Sequence, residues 1–534
     1  MNVTTPLPWL ALCAMGVPLA YAAAAFLVSS SRPFKSAQNA TSVALGLTGL
    51  VLTGWALAGR GVHAVDPSGS TLGALAPSVR LDVVTALMLP LITFVGFILV
   101  RFSRRYLDGD PGRARYARWM MATLAAVSVL VIANNLLWLG LAWVCTSLSL
   151  HQLLTFFRDR PQALIAAHKK FLVSRIADVS LLGGIGLLGA SVGSYELDTV
   201  HAWAATRGSH LPFQVELAAL LFVLGAALKS AQLPFHGWLT QVMEAPTPVS
   251  ALLHAGIVNI GGFLMIRLGP LMVHAELAQT LLVIIGTTTA VLAALVMNTR
   301  SSVKVTLAWS TCAQMGFMLV QCGLGAYHLA LLHLIAHSLY KAHAFLSSGS
   351  TVDVWRAQAT GARCRAPSLS RWLLSLPVSA VGVGAAAMVF GVTPEAEPAL
   401  WALGTVLVFA LTPLLTRDAG GRLASASLLA VSAFAAASLY FAWSHAFRFA
   451  VPETSDPTSL QLAWVIVGFV TLFTIQAILR TRPDGAFARS LLPVLRAGLY
   501  LDEVFTRTTF RIWPAKLPVR QRAQSLPSLE TRKA

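Results

Sequence analysis

Long apolar stretches recur along this chain of 534 residues, and they constrain its fold more than any other feature. Hydrophobic residues make up 56% of the sequence and charged residues 11%, whereas soluble domains are about 25% charged. Because a membrane-spanning helix needs roughly 20 mainly apolar residues, the chain has room for about fifteen of them. This pattern excludes a soluble enzyme and a single-pass receptor. The predicted spans are 7–29, 39–59, 81–100, 117–134, 136–156, 169–190, 213–232, 247–266, 277–297, 303–322, 327–349, 372–391, 399–416, 424–445 and 462–479.

The formal charge of +18 is distributed unevenly between alternate loops. If the N-terminus faces out, 31 of the 39 Lys and Arg residues lie on the inner side, five lie outside and three lie within spans. This asymmetry follows the positive-inside rule and predicts a multi-pass membrane protein, with the N-terminus outside and the C-terminus in the cytoplasm. The charge therefore reflects topology and does not indicate nucleic-acid binding. The basic region from Arg480 onward suits anionic membrane lipid or an acidic cytoplasmic partner.

Motifs for metal binding, nucleotide binding and hydrolysis are missing from the sequence. The five cysteines show no spacing typical of a disulfide framework or a structural zinc site. No GxxxxGK[ST] motif, GxSxG motif or plausibly spaced carboxylate pair indicates an ATPase or a hydrolase. We therefore expect no metal, no cofactor and no enzymatic reaction in this chain, so an ion gradient or a partner must supply its energy. The opening stretch lacks a charged leader and a clear cleavage site, which predicts a retained span.

Ionisable residues within the predicted spans are candidate functional residues, because placing one in a bilayer costs roughly 2.5 to 3.5 kcal/mol. Asp178 lies in the sixth span, with Arg175 three residues earlier on the same helical face. The two residues form either a local pair at a helix end or part of an ion pathway. Lys229 lies well inside the seventh span, and the helix-breaking Pro234 follows closely. Broken helices at membrane depth line polar cavities, so Lys229 is predicted to exchange protons.

The eighth and tenth predicted spans add three further candidates. Glu244, in MEAPTPVSALLHAG, either caps the start of the eighth span and interacts with its dipole or takes part in transport. His254, in the same segment, is either a hydrogen-bonded core histidine or a proton carrier. Lys304 lies with Arg300 at the start of the tenth span, where it is either an inside-loop cation or a member of the pathway.

The eleventh predicted span carries the strongest local pattern. His333, His337 and Lys341 are spaced at four-residue intervals in LLHLIAHSLYKAHAF, so they form one polar stripe along a helix. Titratable groups roughly 6 Å apart can hold a chain of water molecules and pass protons between them. The alternatives are metal binding and hydrogen bonding between helices, although HxxxH without a nearby carboxylate or cysteine is a weak zinc pattern.

Two long segments resemble the signatures of a membrane-protein family. GAALKSAQLPFHGWLTQVMEAPTPVSALLHAG, and VKVTLAWSTCAQMGFML with HLIAHSLYKAHAFLSSGS, resemble the antiporter-like subunits shared by respiratory complex I and the Mrp sodium/proton antiporters. The resemblance extends over roughly residues 80–480. It implies an all-α polytopic fold in which two inverted five-helix repeats surround discontinuous helices. The implied divisions are N-terminal transmembrane helices (1–115), a first antiporter-like repeat (116–270), a second repeat (271–420), C-terminal transmembrane helices (421–480) and a basic cytoplasmic tail (481–534).

The same resemblance implies a central axis of lysines and histidines that carries protons, but two positions depart from the family pattern. Val144 follows Trp143, where the family has a glutamate that partners the lysine of span seven. Lys229 therefore needs another anion, and Asp178 is the best candidate in the sequence. Thr393, in FGVTPEAE, lies where the family has a lysine in its broken twelfth helix. The family roles carry over to Asp178, Lys229, His254, Lys304, His333, His337 and Lys341, with Glu244 and Arg175 in support.

With these departures, and with one span and a basic tail at its end, the chain resembles the DabB family of membrane subunits in the two-component DAB inorganic carbon pumps. Their peripheral partner, DabA, resembles a zinc beta-carbonic anhydrase. The resemblance implies a location in a bacterial inner membrane, where this chain conducts protons or sodium ions down their gradient. The energy released drives uptake of CO2 or bicarbonate by a DabA-like zinc protein, and that partner carries out the hydration of CO2. The alternatives are a Mrp-type cation/proton antiporter subunit, a proton-pumping subunit of a complex I-like oxidoreductase, and a relic that only anchors such an enzyme.

Overall fold

Helices form almost all of the described part of the protein. In the computed structural model the described residues are 8–65, 73, 77–207, 211–350, 369–415, 425–451 and 455–514. Two short antiparallel strands, β1 (His63–Val65) and β2 (Val79–Leu81), accompany the helices. The helices are α1 (Pro8–Leu27), α2 (Pro33–Leu57), α3 (Val83–Tyr106), α4 (Arg113–Ile132), α5 (Leu136–Leu154), α6 (Pro161–Val192), α7 (Leu197–Ala205), α8 (Phe213–Lys229), α9 (Gly237–Gln241), α10 (Thr247–Ala255), α11 (Ile260–Arg267), α12 (Gly269–Met272), α13 (Glu276–Met297), α14 (Val303–Gly323), α15 (Tyr327–Leu346), α16 (Leu369–Val389), α17 (Pro398–Leu415), α18 (Ser425–Phe447), α19 (Ser459–Thr481), α20 (Ala486–Arg496) and α21 (Leu501–Ile512).

Each predicted apolar stretch overlaps one of these helices. Twelve helical segments among the described residues are long and apolar enough to cross a membrane, and one of them, Thr247–Arg267, comprises α10 and α11 together. The segments Ser375–Val389 and Pro398–Pro413 are apolar but shorter. Helix α8 ends after 17 residues. The predicted all-α, multi-pass fold is therefore confirmed, whereas the number of fifteen spans is not, and the repeat boundaries stay predictions. The predicted inner-side cations at 356, 363, 365, 417 and 422, and the predicted tail beyond 514, lie outside the described residues.

Three long helices begin at polar side chains that accept backbone hydrogen bonds. The Asp82 carboxylate accepts the backbone N–H of Thr85 at 2.8 Å and caps α3. Asn135 caps α5 in the same way, and Thr458 with Gln461 forms a capping box on α19. Because the first N–H groups of a helix have no partner within it, these caps satisfy donors that would be costly to bury.

A buried ion-pair network lies at the end of the bundle where α3 and α5 begin. We call this end of the bundle the outer face and the opposite end the basic face. The Asp82 carboxylate accepts from Arg267 Nη1 at 2.6 Å and from Arg80 Nε at 2.7 Å, and Arg80 also pairs with Asp198. Burial opposes ionisation of Asp82, but the charges of Arg267 and Arg80 outweigh it and hold the pKa of this carboxyl well below its usual range. The network therefore stays ionised at neutral pH and ties β2, α7 and α11 to the start of α3.

Two helices are interrupted inside the bundle, and the sequence analysis predicts the first of these interruptions. Helix α8 ends at Lys229 and the chain resumes as α9 at Gly237, with Pro234 between them. Helix α10 is separated from α11 by a short 3₁₀ turn, Ile257–Asn259. We call these interruptions the first break and the second break. Each break places polar backbone and side-chain atoms in the interior, where the candidate site lies.

Helices α13 and α14 approach each other closely through glycines. A Cβ added at Gly316 would lie 2.6 Å from the carbonyl oxygen of Gly286, and a Cβ added at Gly286 would meet the Gly316 carbonyl oxygen at the same distance. Small residues allow helix backbones to pack directly in a membrane. This contact fixes the position of α14, which carries several polar side chains of the candidate site.

We expect Gly316→Ala to lower the free energy of unfolding by about 1 to 3 kcal/mol, because the added methyl group forces the two backbones apart. The matched control is Gly49→Ala on α2, where nothing lies within 4 Å of an added Cβ. This control should be neutral or stabilising by roughly 0.5 to 1 kcal/mol. Thermal unfolding of the purified protein in detergent measures both, and equal melting temperatures for the two variants would contradict the close packing.

Candidate functional site

Lys229 lies at the first break and is only 4% exposed. Its ammonium group donates to Ser147 Oγ at 2.6 Å and to the backbone oxygen of Trp143 at 3.3 Å, both on α5. The ammonium also lies 4.4 Å from the centre of the Trp143 ring, within the range of a cation–π contact. Val144, which replaces the family's glutamate, packs as a half-buried apolar side chain. A serine hydroxyl one turn further along α5 therefore supplies the direct contact to Lys229.

Asp178 has a closer partner than Lys229. Its carboxylate lies 2.6 Å from Arg175 Nη2 on the same helix. This contact is the local ion pair that the sequence analysis gave as one of two alternatives. Asp178 and Lys229 interact electrostatically, but no ion pair within 4.0 Å joins them in the described part of the chain. The proposal that Asp178 replaces the missing glutamate as a direct partner is thus not supported by contact geometry. Asp178 acts on Lys229 at longer range.

A second lysine, Lys170, lies beside this group, and the sequence analysis counted it only as an inner-side cation. It is 2% exposed, and its ammonium donates to the backbone oxygen of Ser147 at 2.8 Å. Lys170 and Lys229 therefore contact the same serine residue. The span prediction did not identify Lys170 as a buried residue. The predicted sixth span began at residue 169, so the adjacent residues Lys169 and Lys170 looked like the cations of an inner loop. We call Trp143, Ser147, Lys170, Arg175, Asp178 and Lys229 the first cluster.

Lys341 on α15 and His254 on α10 are fully buried side chains in the second half of the site. The Lys341 ammonium donates to the backbone oxygen of Leu307 at 3.2 Å and bonds to Ser310 Oγ. His254 Nδ1 lies 3.1 Å from the Thr311 hydroxyl, and the two side chains Lys341 and His254 interact electrostatically. Helix α14 thus supplies the polar partners of both predicted residues.

The two histidines of the predicted α15 stripe continue from Lys341. The rings of His333 and His337 have centroids 6.0 Å apart. His333 Nδ1 lies 3.0 Å from Gln321 Oε1, while neither ring nitrogen of the buried His337 has a hydrogen-bond partner among the described residues. A buried imidazole with free nitrogens can bind water or accept a proton. We call His254, Ser310, Thr311, Gln321, His333, His337 and Lys341 the second cluster.

Neutral polar residues at the two breaks connect the clusters. Ser230, next to Lys229, donates to the backbone oxygen of Val258 in the second break at 3.0 Å. The neighbouring Asn259 donates from Nδ2 to Ser338 Oγ at 2.8 Å, and Ser338 lies on α15 between His337 and Lys341. The breaks and α15 are therefore joined by direct hydrogen bonds. Sequence reasoning missed these residues because it searched for ionisable groups; Gly256 within an apolar helix was the available signal for the second break.

Two predicted residues, Lys304 and Glu244, lie away from the buried clusters. Lys304 is partly exposed at the start of α14, and its ammonium donates to Thr247 Oγ1 at 3.0 Å. Glu244 pairs with Arg160 at 3.4 Å, and both of these side chains are well exposed. Pro246, not Glu244, occupies the N-cap position of α10, so the capping alternative for Glu244 is not supported. Both residues lie toward the basic face, and their place in a pathway stays a prediction.

The departure at Thr393 lies on the connection between α16 and α17. Its hydroxyl accepts the backbone N–H of Ala396 at 3.1 Å, so it forms a local turn contact. Nearby Glu397 pairs with Arg448. The charged side chains of this connection are therefore two acids, Glu395 and Glu397, and no lysine is among them.

The C-terminal segment α20–α21 packs on the basic face beneath the first cluster. Asp502 on α21 accepts from the fully buried Lys169 at 2.7 Å and from Gln241 of α9 at 2.5 Å. Further along, the Trp513 ring stacks on the His168 ring at 4.0 Å. Two separate contacts thus hold α21 against α6 and against the chain just after the first break. The sequence analysis assigned these residues to a basic tail and did not predict this docking.

Among the described residues, no group of three or more His, Cys, Asp and Glu side chains is arranged to hold a metal ion. The site instead consists of lysines and histidines with serine, threonine, asparagine and glutamine partners. Such groups can bind and release protons and can orient water between them. The geometry is therefore suited to moving protons through the bundle.

We expect Asp178 to be coupled more strongly to Arg175 than to Lys229, because only Arg175 contacts it directly. A double-mutant cycle of Asp178→Asn with Arg175→Gln should give a coupling free energy of about 1 to 3 kcal/mol. The matched cycle with Lys229→Gln should give a smaller value. Both coupling free energies are measured by unfolding the purified variants in detergent. A larger coupling free energy for Asp178 with Lys229 than for Asp178 with Arg175 would indicate that Lys229 is the direct partner of Asp178.

Two family profiles match the chain. The family described as NADH:quinone oxidoreductase/Mrp antiporter, transmembrane, matches residues 133–383. The N-terminal family of NADH-ubiquinone oxidoreductase (complex I) chain 5 matches residues 73–117. The first match contains both clusters and both breaks.

Individual relatives cover most of the chain. It is 42% identical to the probable inorganic carbon transporter subunit DabB of Hydrogenovibrio crunogenus, over 82% of this chain and 84% of the relative. It is 40% identical to the probable inorganic carbon transporter subunit DabB2 of Halothiobacillus neapolitanus, over 84% of this chain and 83% of the relative. A solved structure of the Mrp complex from a Dietzia species superposes with a TM-score of 0.58 and 26% identity, covering 95% of this chain and 56% of that chain. This chain thus spans more than four fifths of the two DabB relatives but little more than half of that antiporter chain.

Proposed function

The chain belongs to the DabB family of probable inorganic carbon transporter subunits, and on this premise we propose that it is the ion-conducting membrane subunit of an energy-coupled inorganic carbon uptake system. Protons move down their gradient through Asp178, Lys229, His254, His333, His337 and Lys341. The energy released drives uptake of CO2 or bicarbonate by a DabA-like zinc protein. That partner carries out the hydration of CO2, and this subunit catalyses no reaction of its own.

One observation carries this proposal: buried titratable groups lie on both sides of a series of neutral polar contacts that runs through the two breaks. Lys229 in the first cluster and Lys341 in the second are connected through Ser230, the second break and Ser338. Burying lysines and histidines within a membrane costs free energy, so such residues are rare and mark ion or proton pathways. Because a lysine ammonium repels other cations and offers no oxygen ligand, the axis favours protons over sodium ions as the coupled ion.

The membrane potential supplies enough energy for this coupling. One elementary charge crossing 100 mV yields about 2.3 kcal/mol, so a potential of about 150 mV yields about 3.5 kcal/mol per proton. Since about 1.4 kcal/mol corresponds to a tenfold ratio, one proton could sustain a gradient of about 300-fold. A small number of protons per transported inorganic carbon molecule is therefore sufficient for accumulation.

The charge distribution supports an orientation for the complex. The positive-inside rule assigns the cations of the basic face to the cytoplasm, and this supports an orientation with the N-terminus outside and the C-terminus inside. The docked segment α20–α21 lies on that face. A DabA-like partner would then bind from the cytoplasm, where anionic inner-membrane lipid also contacts the basic residues.

A Mrp-type antiporter subunit is the second candidate function, because the Mrp complex structure shares 26% identity and superposes over 95% of this chain. The two functions differ in their dependence on sodium. Growth of a sodium-sensitive host at high salt, rescued by this chain with small antiporter subunits, would favour the antiporter. Rescue of a host that requires high CO2, with a large zinc protein as partner, favours carbon uptake.

We expect Lys229→Ala to abolish gradient-dependent carbon uptake while leaving the amount of protein in the membrane unchanged. Alanine cannot bind a proton, and no other lysine ends α8 at the first break. The measurement is growth at ambient CO2 of a high-CO2-requiring host that co-expresses the partner. The control is Lys35→Ala, which removes an exposed lysine outside the clusters. Rescue by Lys229→Ala at the wild-type level would refute the role of this residue.

We also expect inorganic carbon accumulation only when this chain is co-expressed with a DabA-like protein. The titratable axis has no substrate chemistry beside it in the described residues, so the released energy needs an acceptor. Uptake of radiolabelled bicarbonate should collapse when a protonophore dissipates the gradient. Strong uptake by this chain alone, or uptake insensitive to both the protonophore and sodium removal, would contradict the proposed coupling.

A further inference from the structure

Two buried lysines meet at one serine in the first cluster. Lys229 Nζ donates to Ser147 Oγ at 2.6 Å, and Lys170 Nζ donates to the backbone oxygen of the same residue at 2.8 Å. Both lysines are almost completely inaccessible to solvent, at 4% and 2% exposure. A lysine of this kind is rarely buried without a charged partner.

The charges around this pair do not balance when both lysines are protonated. Asp178 is the carboxylate that acts on both lysines, but Arg175 lies against it at 2.6 Å, so its single negative charge is already matched by the charge of an arginine. The other titratable side chain acting on Lys170 from α5 is His151, which adds no negative charge. Asp502 on α21 bonds to Lys169 and Gln241 and is therefore committed elsewhere. Two protonated lysines would leave two uncompensated like charges in a region of low dielectric constant.

We infer that Lys170 and Lys229 form a proton-sharing pair, bridged by Ser147, in which one proton is held by the two amines together. This inference rests on the proposed function and adds a carrier to it. The proton that leaves one ammonium, converting it to a neutral amine, is accepted by the other amine. No other species is consumed, and the charge of the pair stays at one.

The position of Lys170 gives the pair a direction. Lys170 precedes Asp178 by about two turns along α6, which begins at the basic face. His151 and His168 lie on the same side, with ring centroids 6.4 Å apart, and Trp513 covers His168. Lys170 is therefore the member of the pair that exchanges protons with the basic face, and Lys229 is the member that faces the first break.

Substitutions at Lys170 separate a carrier from a structural residue. Methionine removes both the proton and the hydrogen bond, whereas arginine keeps a donor to Ser147 but does not release its proton. We expect both Lys170→Met and Lys170→Arg to reduce proton flux on the order of 100-fold, the usual effect of losing one positioned proton donor or acceptor. Wild-type flux with Lys170→Arg and reduced flux with Lys170→Met would show that Lys170 only supports the fold, and would overturn the inference.

The bridging serine provides a second, milder test with a matched control. Ser147→Ala removes the hydroxyl that holds Lys229 but keeps the backbone oxygen that holds Lys170, so flux should fall and its pH profile should change. Ser149 lies two residues further along α5. Ser149→Ala removes a hydroxyl that donates only to backbone oxygens of its own helix. It should leave both flux and pH profile at wild-type values. Equal behaviour of the two serine variants would contradict the bridge.

Two readouts keep this inference distinct from the proposed function. Proton flux is measured with a pH-sensitive dye in membrane vesicles that contain the full chain and its partner, and radiolabelled bicarbonate uptake is measured in the same cells. If wild-type vesicles conduct protons without carbon uptake, the proposed function fails, while the Lys170 variants still test the pair through flux. If Lys229→Met abolishes flux and Lys170→Met does not, the pair is wrong and the proposed axis survives. If neither substitution changes flux, both proposals fail.

Discussion

The termination of α8 at Lys229 is the constraint on which the rest of the interior depends. A helix that stops inside a membrane leaves backbone groups that must find partners within the protein. Here, Ser230 reaches Val258, Gln232 donates from its side chain to the Ser230 carbonyl, and the Leu233 N–H donates to Thr289 on α13. These contacts draw α8, the second break and α13 together. The same arrangement that satisfies the backbone thereby builds a polar route between two groups of titratable side chains.

The two clusters satisfy their lysines in different ways. The first cluster includes the carboxylate of Asp178, already occupied by Arg175, and a serine that accepts from two lysines. In the second cluster, Lys341 bonds to a serine and a backbone oxygen, and no carboxylate of the described residues pairs with it within 4.0 Å. Both halves therefore rely on neutral oxygen atoms where an ion pair would be expected. A lysine held by neutral acceptors gains less from being charged than one held by a carboxylate, so it releases its proton at a smaller cost in free energy.

The sequence predicted most of the charged side chains of the two clusters and the first break, but it did not mark Lys170 or the second break. Asp178, Lys229, His254 and Lys341 were identifiable because ionisable residues are rare in apolar stretches, and Pro234 marked the first break. The neutral residues that connect them were not identifiable, because Ser338 and Asn259 look like ordinary polar residues within helices. The direct partner of Asp178 also could not be chosen from the sequence. Arg175 lies three residues away on one helix, whereas the distance to Lys229 depends on how two helices pack.

The docking of Asp502 has a consequence for how this protein is made. Lys169 is fully buried in α6, and its only ion-pair partner in the described part of the chain lies 333 residues later. Because chains are synthesised at roughly 5 to 20 residues per second, the early helices wait for tens of seconds before that carboxylate exists. During this interval, Lys169 must remain hydrated at the membrane surface. A helix synthesised 333 residues later therefore completes the first half of the bundle, and the finished structure records an order of assembly as well as a route for protons.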